Sequence, residues 1–130
     1  MLTPGLVVQA TTIALEHEPL PPDQVIAGAP TTGFAVLVEG AVAGGGSEGG
    51  GSAIDKPDTS RPEIGVWEMT PGTATDVEVD EVFVVLAGRA TVLMPGLDAV
   101  ELAPGSVVQL TAGMATTWIV HETLRKLYIA

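Results

Sequence analysis

Turn dipeptides recur at short intervals through the second half of this 130-residue chain, and they leave room for strands and little else. Pro71-Gly72, Gly88, Pro95-Gly96, Pro104-Gly105 and Ala112-Gly113 each separate short apolar runs rich in Val, Ile, Leu and Thr. Proline cannot donate to a ladder and glycine takes the positive φ of tight reversals, so this punctuation divides strands and breaks helices. Strands are expected at 64–69, 81–87, 89–94, 99–102, 106–110, 115–120 and 124–129, with Val82 to Leu86 buried on both faces. Many short strands with turn signals between them predict an all-β sandwich or barrel.

Residues 1–43 read differently. They are apolar but interrupted by Pro4, Pro19, Pro21, Pro22 and Pro30, which predicts short extended pieces at 6–9, 11–15 and 33–38 joined by a stiff Pro-rich connection at 18–23. Such a β-arm can pack on its own barrel or exchange with a partner subunit. Residues 44–61 are Gly- and Ser-rich, the composition of a flexible insertion or linker. A phosphate cradle would need a helix after those glycines, and none is expected there. The barrel core is placed at 62–130.

Composition removes several classes of function. The absence of Cys excludes disulfides, thiolate metal sites and Cys nucleophiles. With 16 Asp and Glu against 5 Lys and Arg, the net charge of −11 argues against a nucleic-acid partner, which would require clustered basic residues. No apolar run approaches the roughly 20 residues that span a bilayer. The N-terminal residues lack the basic-then-apolar layout of a signal peptide, so a cytoplasmic location is expected.

From residue 62 onward the chain resembles the cupin superfamily, in particular its ureidoglycine aminohydrolase-type and ethanolamine-utilisation-type branch. The resemblance rests on Gly65-Val66-Trp67-Glu68, Pro71-Gly72, Glu81 with Gly88, Pro104-Gly105, Ala112-Gly113, and the closing stretch from Trp118 to Lys126. It implies a double-stranded β-helix, the cupin or jelly-roll barrel. It also implies a metal held inside the barrel by imidazoles and one carboxylate. Glu81 and Gly88 keep the end of the first cupin motif, but the spacing from Gly72 to Glu81 is too short. Counted forward from Gly72, the two histidine positions fall on Glu78 and Asp80; counted back from Glu81, on Thr75 and Val77. In the second motif Gly105 and Gly113 keep their spacing, while the histidine position is Thr116 and the asparagine position is Val120.

With the imidazoles missing, no cofactor is expected, and Glu81 is the one candidate metal ligand. A hard divalent cation would use it with Asp76, Glu78 or Asp80. Strict strand alternation puts Glu78 and Asp80 on one face and Glu81 on the other, so Asp76, Glu78 and Asp80 are expected as solvated loop carboxylates. Glu81 is the candidate catalytic residue, because burial beside Phe83, Thr116 and Trp118 would raise its pKa toward acid–base use. Its competing role is a buried carboxylate satisfied by a Thr hydroxyl, Arg89, Arg125 or Lys126. Trp67 and Trp118 are aromatic walls, giving a candidate ligand-binding set of Glu81, Phe83, Trp67, Thr116 and Trp118. His17 and His121 are expected at the surface or an edge. Glu122, Arg125 and Lys126 are expected as an exposed ion-pair group or an oligomer contact.

These expectations converge on a small barrel, homodimeric, that binds a small polar or amine-containing molecule without a tightly held metal. The alternative is a metal-dependent hydrolase of a ureido or amino compound, as the ureidoglycine aminohydrolase resemblance implies. A third is a structural domain whose barrel is filled by its own side chains.

Overall fold

The structure, a computed structural model, describes residues 2–40 and 61–130. The expected insertion at 44–61 lies, apart from Arg61, outside the described residues. Nine strands form among the described residues: β1 His17–Pro19, β2 Val25–Ala27, β3 Thr31–Val38, β4 Ile64–Met69, β5 Gly72–Val77, β6 Glu81–Leu93, β7 Val100–Leu102, β8 Val107–Leu110 and β9 Ala115–Ile129. A short 3-10 turn, Pro22–Gln24, is the only helical element among the described residues. No helix there is long and apolar enough to cross a membrane.

All pairings are antiparallel, in one sheet that curls on itself in the order β1-β3-β4-β9-β5-β2, with β6 paired to β9, β7 and β8. The 15-residue β9 is the central wall. Its first half pairs with β5 and the end of β6, its second half with β4 and the start of β6. Directly opposed residues on an antiparallel pair share a face, so Phe83, Val85, Val92, Trp118, Leu124 and Tyr128 close a core on the inner side.

The all-β barrel expected from the turn spacing is what forms, with three local differences. Gly88 does not end a strand. It takes φ +88° inside the continuous β6, where the register against β9 shifts on both sides of it. A positive-φ glycine serves a bulge as well as a reversal, which is why spacing alone suggested a turn. Likewise 115–120 and 124–129 are two halves of β9. In the arm, 6–9 and 11–15 are not strands. Residues 9–13 form a turn in which Thr12 N and Ile13 N donate to Gln9 O, at 3.1 and 3.0 Å. Arg125 Nη1 then binds the carbonyls of Ala10 and Ile13, at 3.0 and 2.8 Å. Those carbonyls are held by a side chain and do not join a ladder. The third difference is β5, which occupies the stretch read as a turn and loop and carries the chain to the site.

Candidate functional site

On the second half of β9, residues alternate between the two faces of the sheet. Leu124, Lys126 and Tyr128 point into the barrel and Arg125 points out. Lys126 is only 5% exposed, directly opposite Trp67 of β4 and Val85 of β6. Its Nζ donates to Glu81 Oε2 at 2.7 Å. It also lies 4.3 Å from the centroid of Phe83, 4.7 Å from that of Trp67 and 4.9 Å from that of Trp118. Three π-faces and one carboxylate enclose one ammonium, the environment that keeps a buried cation paired. The expectation of an exposed ion-pair group at 122–126 is therefore corrected. Glu122 and Arg89 do pair on the surface at 2.9 Å, but Lys126 is inside, and Arg125 is buried under the arm, bonded to Glu68 at 2.9 Å.

Glu78 is the second correction. It is 7% exposed, and its Oε2 accepts from Thr116 Oγ1 at 2.5 Å and from Trp118 Nε1 at 3.0 Å. Strand alternation does not carry through 78–80, because β5 ends at Val77 and β6 begins at Glu81. The backbone of Glu78 is tied instead to the neighbouring turn: its N–H donates to Met114 O and its carbonyl accepts from Gly113 N, both at 2.9 Å. That turn brings Glu78 and Glu81 to the same cavity. Asp80 stays exposed and accepts from Ala112 N at 2.9 Å, which caps the turn.

The cavity, of about 290 Å³, opens between Trp67, Trp118 and the carboxylates of Asp76, Glu78 and Glu81. Phe34, 65% exposed, and Val77, 69% exposed, stand at its mouth. Of the side chains expected at a site, Glu81, Trp67 and Trp118 line the cavity; Phe83 and Thr116 are buried behind it, at 1% and 2% exposure. Asp76, Glu78, Val79, Lys126 and Tyr128 complete the lining. Of the partners considered for a buried Glu81, the one in place is Lys126, which is in period-two phase with Leu124 and Tyr128.

Asp76 is exposed as a whole residue, but lost hydration at the cavity wall, followed by the neighbouring Glu78 charge, raises its carboxyl above the ordinary 3.8. Its Oδ1 accepts from Val77 N at 2.8 Å. Between the ordinary and raised values the folded chain holds a proton that the unfolded chain has released, so this group's contribution falls as pH rises through that window. Asp76→Asn keeps the acceptor and removes the charge. Its thermal stability at pH 7 is expected to exceed wild type by about 0.5 kcal/mol or less, given solvent screening. The gap should close near pH 3, and a variant less stable than wild type at pH 7 would contradict this account.

Behind the sheet, Glu68 accepts from Arg125 Nε at 2.9 Å and from His17 Nε2 at 2.7 Å, and His17 Nδ1 shares a hydrogen bond with Thr31 Oγ1 at 2.8 Å. Burial works to raise the Glu68 carboxyl, but the bonds from Arg125 and His17 outweigh it and hold it below the ordinary 4.5. This cluster fastens β1 and the arm and lies away from the cavity. His121 is exposed, its Nε2 2.8 Å from Thr91 Oγ1.

A metal held in the cupin manner does not fit these side chains. Glu81 is committed to Lys126, Thr116 stands at a histidine position, and Glu78, at another, is bonded to it. Among the described residues no three His, Asp or Glu come together as a ligand set.

A curled antiparallel sheet with the inward carboxylate of Glu81 at the start of β6 fits a cupin barrel. The sequence matches the EutQ-like cupin domain over residues 58–128, and the chain belongs to that family. Solved structures agree on the fold. A protein of unknown function from Pseudomonas syringae pv. tomato aligns with TM-score 0.68 at 20% identity, over 92% of this chain and 45% of its own, so this chain spans less than half of that protein. The EutQ protein of Clostridium difficile aligns with TM-score 0.54 at 18% identity, over 77% of this chain and 67% of its own. A cupin superfamily protein of Desulfitobacterium hafniense gives 0.51 at 14%, over 76% and 75%. No curated protein matches the sequence.

Proposed function

We propose that this cupin binds a small amine-bearing molecule in the cavity at the barrel mouth, with the ligand's cationic end on Asp76 and Glu78. One observation carries the reading: these two carboxylates face a cavity at the small end of the ligand-pocket range, and neither is in an ion pair among the described residues. Lys126, the cation nearest them in the lining, is bound to Glu81. An incoming ammonium would offset the lost hydration and, after it, the Glu78 repulsion that together lift the Asp76 carboxyl, and the apolar mouth at Phe34 and Val77 suits a short hydrocarbon portion. The aromatic residues serve as walls, because their shared cage holds Lys126 and has no room for the ligand's own amine.

Thermal-shift titration with butylamine against butyrate at equal ionic strength tests this. Butylamine is expected to raise Tm saturably in wild type and not in Asp76→Asn. A response to butyrate alone, or an amine response undiminished in Asp76→Asn, would reject the assignment. A homodimer in the cytoplasm completes the proposal. The dimer's support is the exposed apolar side chains of Val82 and Ile129, opposed across β6 and β9 and 38% and 41% exposed, with Val107, paired to Val84 of β6, 68% exposed.

A further inference from the structure

We infer that the Lys126 ammonium is a tethered replacement for a cupin metal ion: this barrel carries its internal cation on its own chain, and the cage around it is a primary-ammonium site closed to outside cations. Three independent observations meet here. Glu81, the residue at the carboxylate position of the first cupin motif, spends its Oε2 on Lys126 Nζ at 2.7 Å. Two of the three motif positions that supply imidazole elsewhere, Glu78 when counted forward from Gly72 and Thr116 in the second motif, bond to each other and so satisfy one another without a metal. The remaining sides of the ammonium are covered by Phe83, Trp67 and Trp118, with centroids 4.3 to 4.9 Å away, and Lys126 is 5% exposed.

A bare metal ion favours oxygen and imidazole donors at fixed geometry, whereas a tripod of π-faces is worth little to it and much to an alkylammonium. The cage is therefore selective by construction for the group it already holds. Its side chain arrives from β9, whose pairing with β4 and β6 on either side fixes the position of Nζ as a ligand set would fix a metal. Shortening Lys126 to alanine deletes three carbons and the nitrogen, the atoms of n-propylammonium, and leaves their space with Glu81 at its end.

The test is rescue. Lys126→Ala is prepared in an Asp76→Asn background, so that amine binding at the barrel mouth contributes to neither arm. Its Tm is then measured with n-propylammonium chloride, with n-propanol and with sodium chloride. The expected result is a saturable rise of several degrees with n-propylammonium only, absent when Lys126 is intact and abolished when Glu81→Gln is added. Equal rescue by n-propanol, or none by n-propylammonium, overturns the inference. If the variant does not fold, refolding is attempted with each additive. Recovery with n-propylammonium alone supports the inference, and recovery with neither overturns it. In parallel, wild type is titrated with Mn²⁺ by electron paramagnetic resonance. Stoichiometric micromolar uptake that disappears in Glu81→Gln would overturn it as well.

Discussion

Lys126→Met is expected to destabilise the fold by about 3–5 kcal/mol in urea denaturation, because it leaves Glu81 buried without its cation. Methionine keeps most of the length and apolar contact of the side chain, so the loss reports the charge and little of the packing. Glu81→Gln alone should cost a comparable amount for the mirror-image reason. The double variant Lys126→Met/Glu81→Gln should then regain at least half of the summed loss, since two neutral side chains need no ion pair. Coupling of this size belongs to groups in direct contact. Additive losses would mean that the two residues act separately, and the picture of one enclosed pair would fail.

Gly88→Ala comes next. At φ +88° a side chain is strained, and a Cβ at this position would run into the carbonyl oxygen of Thr123 on the adjacent β9. Backbone cannot yield as a flexible side chain does, so both terms count, and a loss on the order of 3 kcal/mol is expected. Gly96 also has a positive φ, +73°, but nothing lies within 4 Å of its would-be Cβ. Gly96→Ala should cost only the conformational part, about 1–2 kcal/mol. Denaturation midpoints of the two variants side by side separate conformation from collision. Equal losses would show that the bulge tolerates a side chain.

The contrast explains what could be read from the residues alone. Gly88 was visible as punctuation, yet a bulge and a hairpin use the same left-handed backbone. Only the partner strand, far away in sequence, distinguishes them. The strands at 64–69, 100–102 and 107–110 were legible because β-branched runs and Pro-Gly turns are local signals. The extended pieces proposed at 6–9 and 11–15 failed because the conformation there answers to Arg125, more than a hundred residues away. The site was half legible. Glu81, Trp67 and Trp118 followed from motif and alternation, and they do line one cavity. Glu78 was missed because alternation was carried past the end of β5. Lys126 was named among the partners of a buried Glu81 yet also grouped with an exposed ion-pair set, because charge was allowed to overrule phase: a residue two positions from both Leu124 and Tyr128 on a strand shares their side of the sheet, whatever its charge.

Arg125 and Lys126 are sequence neighbours on opposite sides of β9, one gripping the carbonyls of the arm and the other filling an aromatic cage. A slip of β9 by one residue would swap them, forcing a planar five-donor guanidinium into a space shaped for a compact ammonium and leaving the arm's carbonyls facing a flexible amine. Either mismatch alone would be costly, and a slip incurs both together. The dipeptide thus acts as a two-sided key for strand alignment: correct threading of the last strand is checked inside and outside the barrel at once.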